Sequence, residues 1–336
     1  MGDYFPSLEE LRQLSLERED MNLPSNNIMQ MKLGHIYRTD GFDVDKTIQE
    51  LEDLNKDGSQ EGLISRIKSV SDLSSKLYDE FADNPNSIGN WLPKIERANN
   101  KAGYPFLIPK TKIWRLPIEV AQFIRVSYED TSEVSRKLFN EMIFKFFELD
   151  NDKEYFIKTG TFSSKFEFRN AHIAKGEARE MGEYFQVINN FAMVLGAAHS
   201  VELCVREYID DVEDNPTIYS GMPLRTEFRA FVDFDSDKII GVVPYWNPIV
   251  MKRAFNMKNA PATIQQDLIT YVKHEDKLMR EYNDYLSEVK NKLKRLIPNV
   301  DLKGEYSVDI MKNGEDLYLI DMATMESSAL VELLEW

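Results

Sequence analysis

Cysteine is nearly absent: the 336 residues hold one, Cys204. No internal disulfide framework can form, which fits a reducing compartment. Cys204 lies in the apolar run 201–209, where a small buried hydrophobe is the plain expectation and a nucleophile the alternative. Long apolar runs are also missing. No stretch approaches the roughly 20 residues that cross a bilayer, and the opening MGDYFPSLEELRQ has no basic segment followed by an apolar one. A cytoplasmic chain without membrane attachment is expected, and its Met-Gly start lacks the Ser or Thr that a myristoylation signal prefers. Positive charge is in deficit, 41 Lys and Arg against 57 Asp and Glu, net −16. A broad nucleic-acid surface is therefore not expected, although a local basic cleft is compatible. The four histidines, His35, His172, His199 and His274, share no metal-ligand spacing, and neither GxSxG nor GxxxxGK[ST] occurs. Zinc sites, triad hydrolysis and a P-loop are thereby set aside.

What is present is enough apolar material, 43% hydrophobic and 11% aromatic, for a substantial interior. The length exceeds what one core usually accommodates, so two or three lobes are expected. Residues 1 to about 100 read as helical: SLEELRQLSLERED opens on a Ser cap, and DVDKTIQELEDL and GLISRIKSVSDLSSKLYDEFAD repeat apolar positions at helical spacing. NLPSNN, DNPNS and NNKAGYP separate these helices, and Pro105 and Pro109 close the lobe. From about residue 104 strands and helices alternate. FLIPKTKIW is strand-like, TSEVSRKLFNEMIFKFFEL helical, EYFIKTG a short strand, GEAREMGEYFQVINNFAMVLGAA a helix and ELCVREYI a buried strand. The acidic loop DDVEDNP that follows is expected to face solvent. LRTEFRAFVDF and KIIGVVPYW, separated by DSD, read as a hairpin. A long helix spans about 261 to 296, and GEYSVDIMK and DLYLIDMAT flank Asn313-Gly314, a strong tight-turn signal.

Chemistry concentrates in three places. Lys158 ends YFIKTG just before a segment with Gly160, the hydroxyls of Thr159, Thr161, Ser163 and Ser164, and a second ammonium at Lys165. Backbone donors and cations of this kind suit phosphate oxygens, and an ordinary hairpin with exposed lysines is the bland alternative. Asp309 and Asp321 each interrupt an apolar run on strands joined by a short turn. A buried acid needs a cation, so either a magnesium ion with phosphate oxygens or a structural arginine must face them. Arg225, Glu227 and Arg229 alternate along one strand face. Arg229 could hold a phosphate or carboxylate bidentately, or the stripe could be a solvated sheet face.

In order, FIKTGTFSSKF, VREYID, EFRAFV with IIGVVP, and SVDIMKNGEDLYLIDM resemble the successive motifs of ATP-grasp proteins. The likeness covers roughly 104 to 330. Within that superfamily the chain looks similar to the eukaryotic cell-division-cycle ATP-grasp family, which assists assembly of translation initiation factor two, and to related phage and bacterial clades. The resemblance implies an α+β, ATP-grasp fold: two α+β lobes, 104–200 and 201–336, sandwiching nucleotide, after a helical N-terminal lobe at 1–103. It implies ATP and Mg2+ as cofactors and a ligase that joins a small-molecule or peptide carboxylate to a nucleophile. The alternative it leaves is a nucleotide-dependent assembly factor for a basic protein partner.

By the same resemblance Lys158 contacts the α- and β-phosphates, and Ser163, Ser164 and Lys165 belong to the loop over the triphosphate. Arg206, Glu207, Tyr208 and Ile209 form the adenine-side hinge, with Asp210 or Asp211 near the ribose. Lys110 or Lys112 supplies the lysine usual on an earlier strand, Arg229 faces the γ-phosphate or acceptor, and Asp309 and Asp321 hold magnesium. One position departs from the pattern: Ala323 stands where an Asn two residues after the last metal acid is usual, with Thr324 or Glu326 as possible substitutes.

Overall fold

The computed structural model describes residues 78–125, 131–195, 200–255 and 262–334. Most of the expected helical front lobe, residues 1–77, lies outside the described residues. The chain divides into two compact units; within the described residues the first takes in 78–84, 113–162 and 173–203, and the second 85–112, 163–172 and 204–334.

The first helix with defined ends is α1 (Ile88–Lys101), carrying Pro93, with Ile88, Trp91, Leu92, Ile95 and Ala98 on its buried side. After β1 (Thr111–Arg115) and the short α2 (Ile118–Phe123) comes α3 (Glu133–Phe146). Its start is fixed by Ser132, whose side chain accepts a hydrogen bond from the Ser135 backbone at 3.3 Å, with Glu133 at the positive end of the helix dipole and Lys145 at the negative end. Then follow β2 (Tyr155–Thr159), the single-turn α4 (Phe168–Ala171), β3 (His172–Ile173), α5 (Met181–Val194) and β4 (Glu202–Glu207). In the first unit Trp114 stacks on Phe146 at 4.6 Å, and Gly182 lets α5 approach α3 closely: a Cβ there would stand 2.7 Å from Asn140 Oδ1 and 2.9 Å from Phe139. The strand order is β1-β4-β2-β3.

The second unit continues with β5 (Thr217–Ile218), β6 (Met222–Pro223), β7 (Glu227–Asp233), β8 (Lys238–Pro244), α6 (Pro248–Phe255), α7 (Ala262–Leu296), β9 (Glu305–Asn313) and β10 (Asp316–Thr324). Both expected hairpins form, β7 with β8 and β9 with β10. They join through β7 and β9 into an antiparallel sheet of order β10-β9-β7-β8. One face of the sheet packs on α7, which buries Tyr271, Leu278, Tyr282, Val289, Leu293 and Leu296, a stripe at helical spacing. Its tyrosines are amphipathic anchors: the Tyr282 hydroxyl donates to the Val242 carbonyl at 2.6 Å and the Tyr271 hydroxyl to that of Trp246 at 2.8 Å. Burial pushes both phenols up, Tyr282 to about 12. Phe231 and Val243 belong to the opposite face, where Met325, Leu330 and Leu334 cover them. Farther along, that opposite face carries the charged residues.

The loop 210–215 differs from its solvent-facing expectation. Asp211 accepts from the Asn215 backbone at 2.5 Å and from Arg225 Nε at 3.0 Å. Glu213 pairs with Lys312 at 2.7 Å and with Lys277 at 3.6 Å. Three cations from other elements draw every second side chain inward, which sequence composition alone does not reveal. No helix among the described residues is long and apolar enough to cross a membrane.

Candidate functional site

The antiparallel register places three charged residues in one rank across neighbouring strands: Arg229 on β7 lies opposite Asp309 on β9, and Asp309 lies opposite Asp321 on β10. Residues opposite one another share a sheet face, so an arginine and two acids stand side by side. The Arg229 guanidinium meets Asp309 in a fork, Nε to Oδ1 at 2.8 Å and Nη2 to Oδ2 at 2.7 Å, with 12% and 10% of the side chains exposed. Its remaining nitrogen donates to the Ala329 carbonyl at 3.2 Å. Burial weakens the hold of Arg229 on its proton, but Asp309 more than restores it and the net shift is upward.

Lys165 faces the same acids from the segment 163–172. Burial lowers its ammonium below the ordinary lysine range, while Glu227, Asp309 and Asp321 pull the other way and Arg229 adds to the lowering. Its Nζ lies 4.1 Å from the Tyr245 ring centroid, and Arg229 Cζ lies 4.7 Å from the same centroid. An aromatic face attracts cations without carrying a counter-charge of its own. Glu227 is half-buried, and burial pushes its carboxyl up to about 7, Lys165 opposing and Asp309 adding to the rise. Tyr245 is reached because its backbone N–H donates to the Glu227 carbonyl at 3.0 Å, continuing the β7–β8 ladder.

Ser164, next to Lys165, is fully buried with φ 48° and ψ 30°, a left-handed conformation uncommon for a serine, and its hydroxyl has no hydrogen-bond partner among the described residues. Ser163 is half-buried beside it. The segment is pinned by the Phe168 N–H to the Tyr219 carbonyl at 3.0 Å, and Tyr219 in turn donates its N–H to Asp267 at 3.2 Å.

The residues expected to form a hinge take several positions. The Arg206 guanidinium, 5% exposed, donates through Nε to Thr111 Oγ1 at 3.1 Å and through Nη1 to the Ile320 carbonyl, and its Nη2 has no acceptor among the described residues. Burial lowers its pKa, with Asp321 the strongest charge opposing. Glu207 is exposed and paired with Lys110 at 3.3 Å. Tyr208 stacks on His172 with ring centroids 4.0 Å apart. The Ile209 carbonyl accepts from Arg225 at 2.7 Å, and burial tends to raise the Asp211 carboxyl, but hydrogen bonds from Asn215 and Arg225 bring it below the ordinary range. Lys112 is exposed on β1, and Lys158, on β2 in the first unit, is 2% exposed. Ala323 sits two residues beyond Asp321, opposite Ser307.

Lys165, Glu227, Arg229, Asp309 and Asp321 thus form one charged group in the second unit. Of these, Glu227 was legible as part of a stripe, whereas Tyr245 gave no chemical signal; only counting the hairpin register past the DSD turn could have found it. The donor set suits a hard cation in part. No group of three or more metal-ligating side chains occurs among the described residues, but a carboxylate offers about four lone-pair positions, so Asp309 can serve Arg229 and an ion together. Magnesium keeps water and takes phosphate oxygens beside one or two carboxylates, and two aspartates meet that requirement.

No protein-family model matches the sequence, and no curated protein does. Among solved structures the chain is similar to a C-terminally truncated Cdc123 from Schizosaccharomyces pombe, at 16% identity and a TM-score of 0.42, covering 75% of this chain and 88% of that one. It is similar also to a RimK domain ATP-grasp protein from Sphaerobacter thermophilus DSM 20745, at 11% identity and a TM-score of 0.31 over 71% and 59% of the two chains. A phosphoribosylglycinamide synthetase from Anaerococcus prevotii follows at 13% identity and a TM-score of 0.27 over 70% and 42%.

Proposed function

We propose that this chain binds magnesium-ATP and uses the γ-phosphate to activate a carboxylate, as an ATP-dependent carboxylate-amine or carboxylate-nucleophile ligase. One observation carries the reading: Arg229, Asp309 and Asp321 stand in register on three adjacent strands, with Lys165 and Arg229 against the same Tyr245 ring. Acids alone suit a cation and cations alone an anion; the two together suit a metal polyphosphate. The ordered ATP-grasp motifs point the same way.

Asp309 and Asp321 would hold magnesium, which when bound offsets phosphate charge. Lys165, with Ser163 and Ser164, lies over the phosphates, and Arg229 faces the γ-phosphate or the acceptor. Glu207, Tyr208 and Ile209 border the adenine. The assignment of Lys158 to the α- and β-phosphates rests on the resemblance alone. A substrate carboxylate oxygen attacks the γ-phosphorus, the bond to the β,γ-bridging oxygen breaks, and ADP departs. The acylphosphate is then opened by an amine or other nucleophile, releasing phosphate. The protein's share is positioning and charge neutralisation.

The test is incubation with ATP, magnesium and pooled carboxylates and amines, followed for ADP and for a ligated mass. The parent should form both and Asp321→Asn neither; an Asp321→Asn protein that makes ADP at the parental rate overturns the assignment. Ala323 favours a second reading, a nucleotide-dependent assembly factor for a basic partner, because it removes the side chain usual for a further metal contact. Stoichiometric ATP binding without steady ADP release, together with one co-purifying protein, would select it.

A further inference from the structure

The turn at Asn313-Gly314 sets a register that, continued unbroken, would not bring the two acids together. Asp316 pairs with Asn313 and Leu319 with Ile310, so regular alternation would put Ile320 opposite Asp309 and turn Asp321 to the other face. The pairing shifts between Leu319 and Asp321. Ile320 is an extra residue on β10, a β-bulge, and everything after it is displaced by one position. Only for that reason does Asp321 share the face of Asp309 and Arg229.

A bulge leaves its extra residue outside the ladder, and here the Ile320 carbonyl is taken by Nη1 of Arg206. Arg206 reaches it from β4, itself oriented by the 3.1 Å bond from Nε to Thr111. A buried guanidinium that spends one of its few contacts on a bulge carbonyl holds the bulge at that residue. We infer that Arg206 is a positioning residue: it pins the β10 bulge at Ile320 and thereby sets Asp321 beside Asp309.

The geometric part stands alone; its consequence for a divalent ion rests on the magnesium-ATP reading, and two readouts keep them apart. The first uses the full-length chain with Cys204→Ala, Asp309→Cys and Asp321→Cys, treated with dibromobimane, which fluoresces when it joins two neighbouring thiols. The bimane product should form with Arg206 present and be largely lost with Arg206→Met. Deleting Ile320 from the Arg206→Met protein should restore it, because a regular ladder then sets position 321 opposite 309 without a pin. The second readout is Mn2+ binding in the presence of ATP by the chain with both aspartates intact, followed by electron paramagnetic resonance. Arg206→Met should weaken it about tenfold, as expected for a residue supporting a metal ligand, and the Ile320 deletion should recover it.

Cross-linking unchanged by Arg206→Met overturns the inference, and so does a loss that the deletion fails to restore, since an arginine needed only for stability would not be rescued by shortening β10. If Arg206→Met does not fold, folding of the doubly altered chain supports the pin and its failure overturns it. Arg206-dependent cross-linking without Mn2+ binding by the parent supports the pin while removing the metal reading.

Discussion

Glu227 carries the least comfortable charge of the candidate site. Its carboxyl, at 4.5 in an open chain, is pushed up to about 7 by burial, with Asp309 adding and Lys165 opposing. Between those values the folded protein holds a proton that the unfolded chain has released, so stability falls as pH rises through this window. Glu227→Gln should therefore be more stable than the parent at pH 8, by about 3 kcal/mol at most at ~1.4 kcal/mol per pKa unit, and the gain should shrink toward pH 5. Urea denaturation at both pH values measures it; an equal difference at the two would show that Glu227 ionises normally. Replacing Asp309 should act in the opposite direction on stability, because its carboxylate pairs with Arg229. Asp309→Ala should cost about 3 kcal/mol by stranding a buried guanidinium, and Arg229→Met in the same chain should recover most of that loss, a double-mutant cycle read by the same denaturation. The acids and Arg229 were legible because charged residues interrupting apolar runs demand partners, and Lys165 as the second ammonium of a segment carrying a glycine and several hydroxyls. Their mutual arrangement was not, since Asp309 had either an arginine or a metal to choose and the structure gives it Arg229.

At the scale of elements, local chemistry announced the turns and the long helix. Asn313-Gly314 and DSD each close a hairpin, and the helix expected over about 261 to 296 is α7, Ala262–Leu296. What local chemistry could not announce is a change of register inside a strand. DLYLIDMAT shows no glycine or proline at Ile320 to mark the bulge; it exists because a guanidinium on another strand accepts the misfit. The loop 210–215 was opaque for the same reason, since its partners Arg225, Lys277 and Lys312 are distant in sequence. Gly182 is a third case. A glycine in a helix costs about 1 kcal/mol relative to alanine, which would make Gly182→Ala a stabilising change on propensity alone. Against that, the added methyl would stand 2.7 Å from Asn140 Oδ1 and 2.9 Å from Phe139, and overpacking typically costs about 1–3 kcal/mol. The contact should win: Gly182→Ala is expected to lower the denaturation midpoint, and an unchanged or raised midpoint would mean that α3 and α5 separate freely.

Taken whole, a molecule of net charge −16 repels a triphosphate, so any nucleotide it holds must be held by local charge. In the second unit that charge is Lys165 and Arg229, and both already face carboxylates: Arg229 is forked onto Asp309, and Lys165 is pulled by Glu227, Asp309 and Asp321. The two cations cannot by themselves offset a polyanion while balancing three acids. On the magnesium-ATP reading, a divalent ion held by the aspartates would reverse the balance and make ATP binding conditional on metal. At ATP one hundred times its dissociation constant, with magnesium, the second unit should gain about 2.7 kcal/mol against unfolding, measured by amide hydrogen exchange of β7, β9 and β10. With EDTA, or in Asp321→Asn, the gain should vanish. Protection that persists without metal would mean that Lys165 and Arg229 hold the phosphates unaided and that Asp309 serves only to orient Arg229.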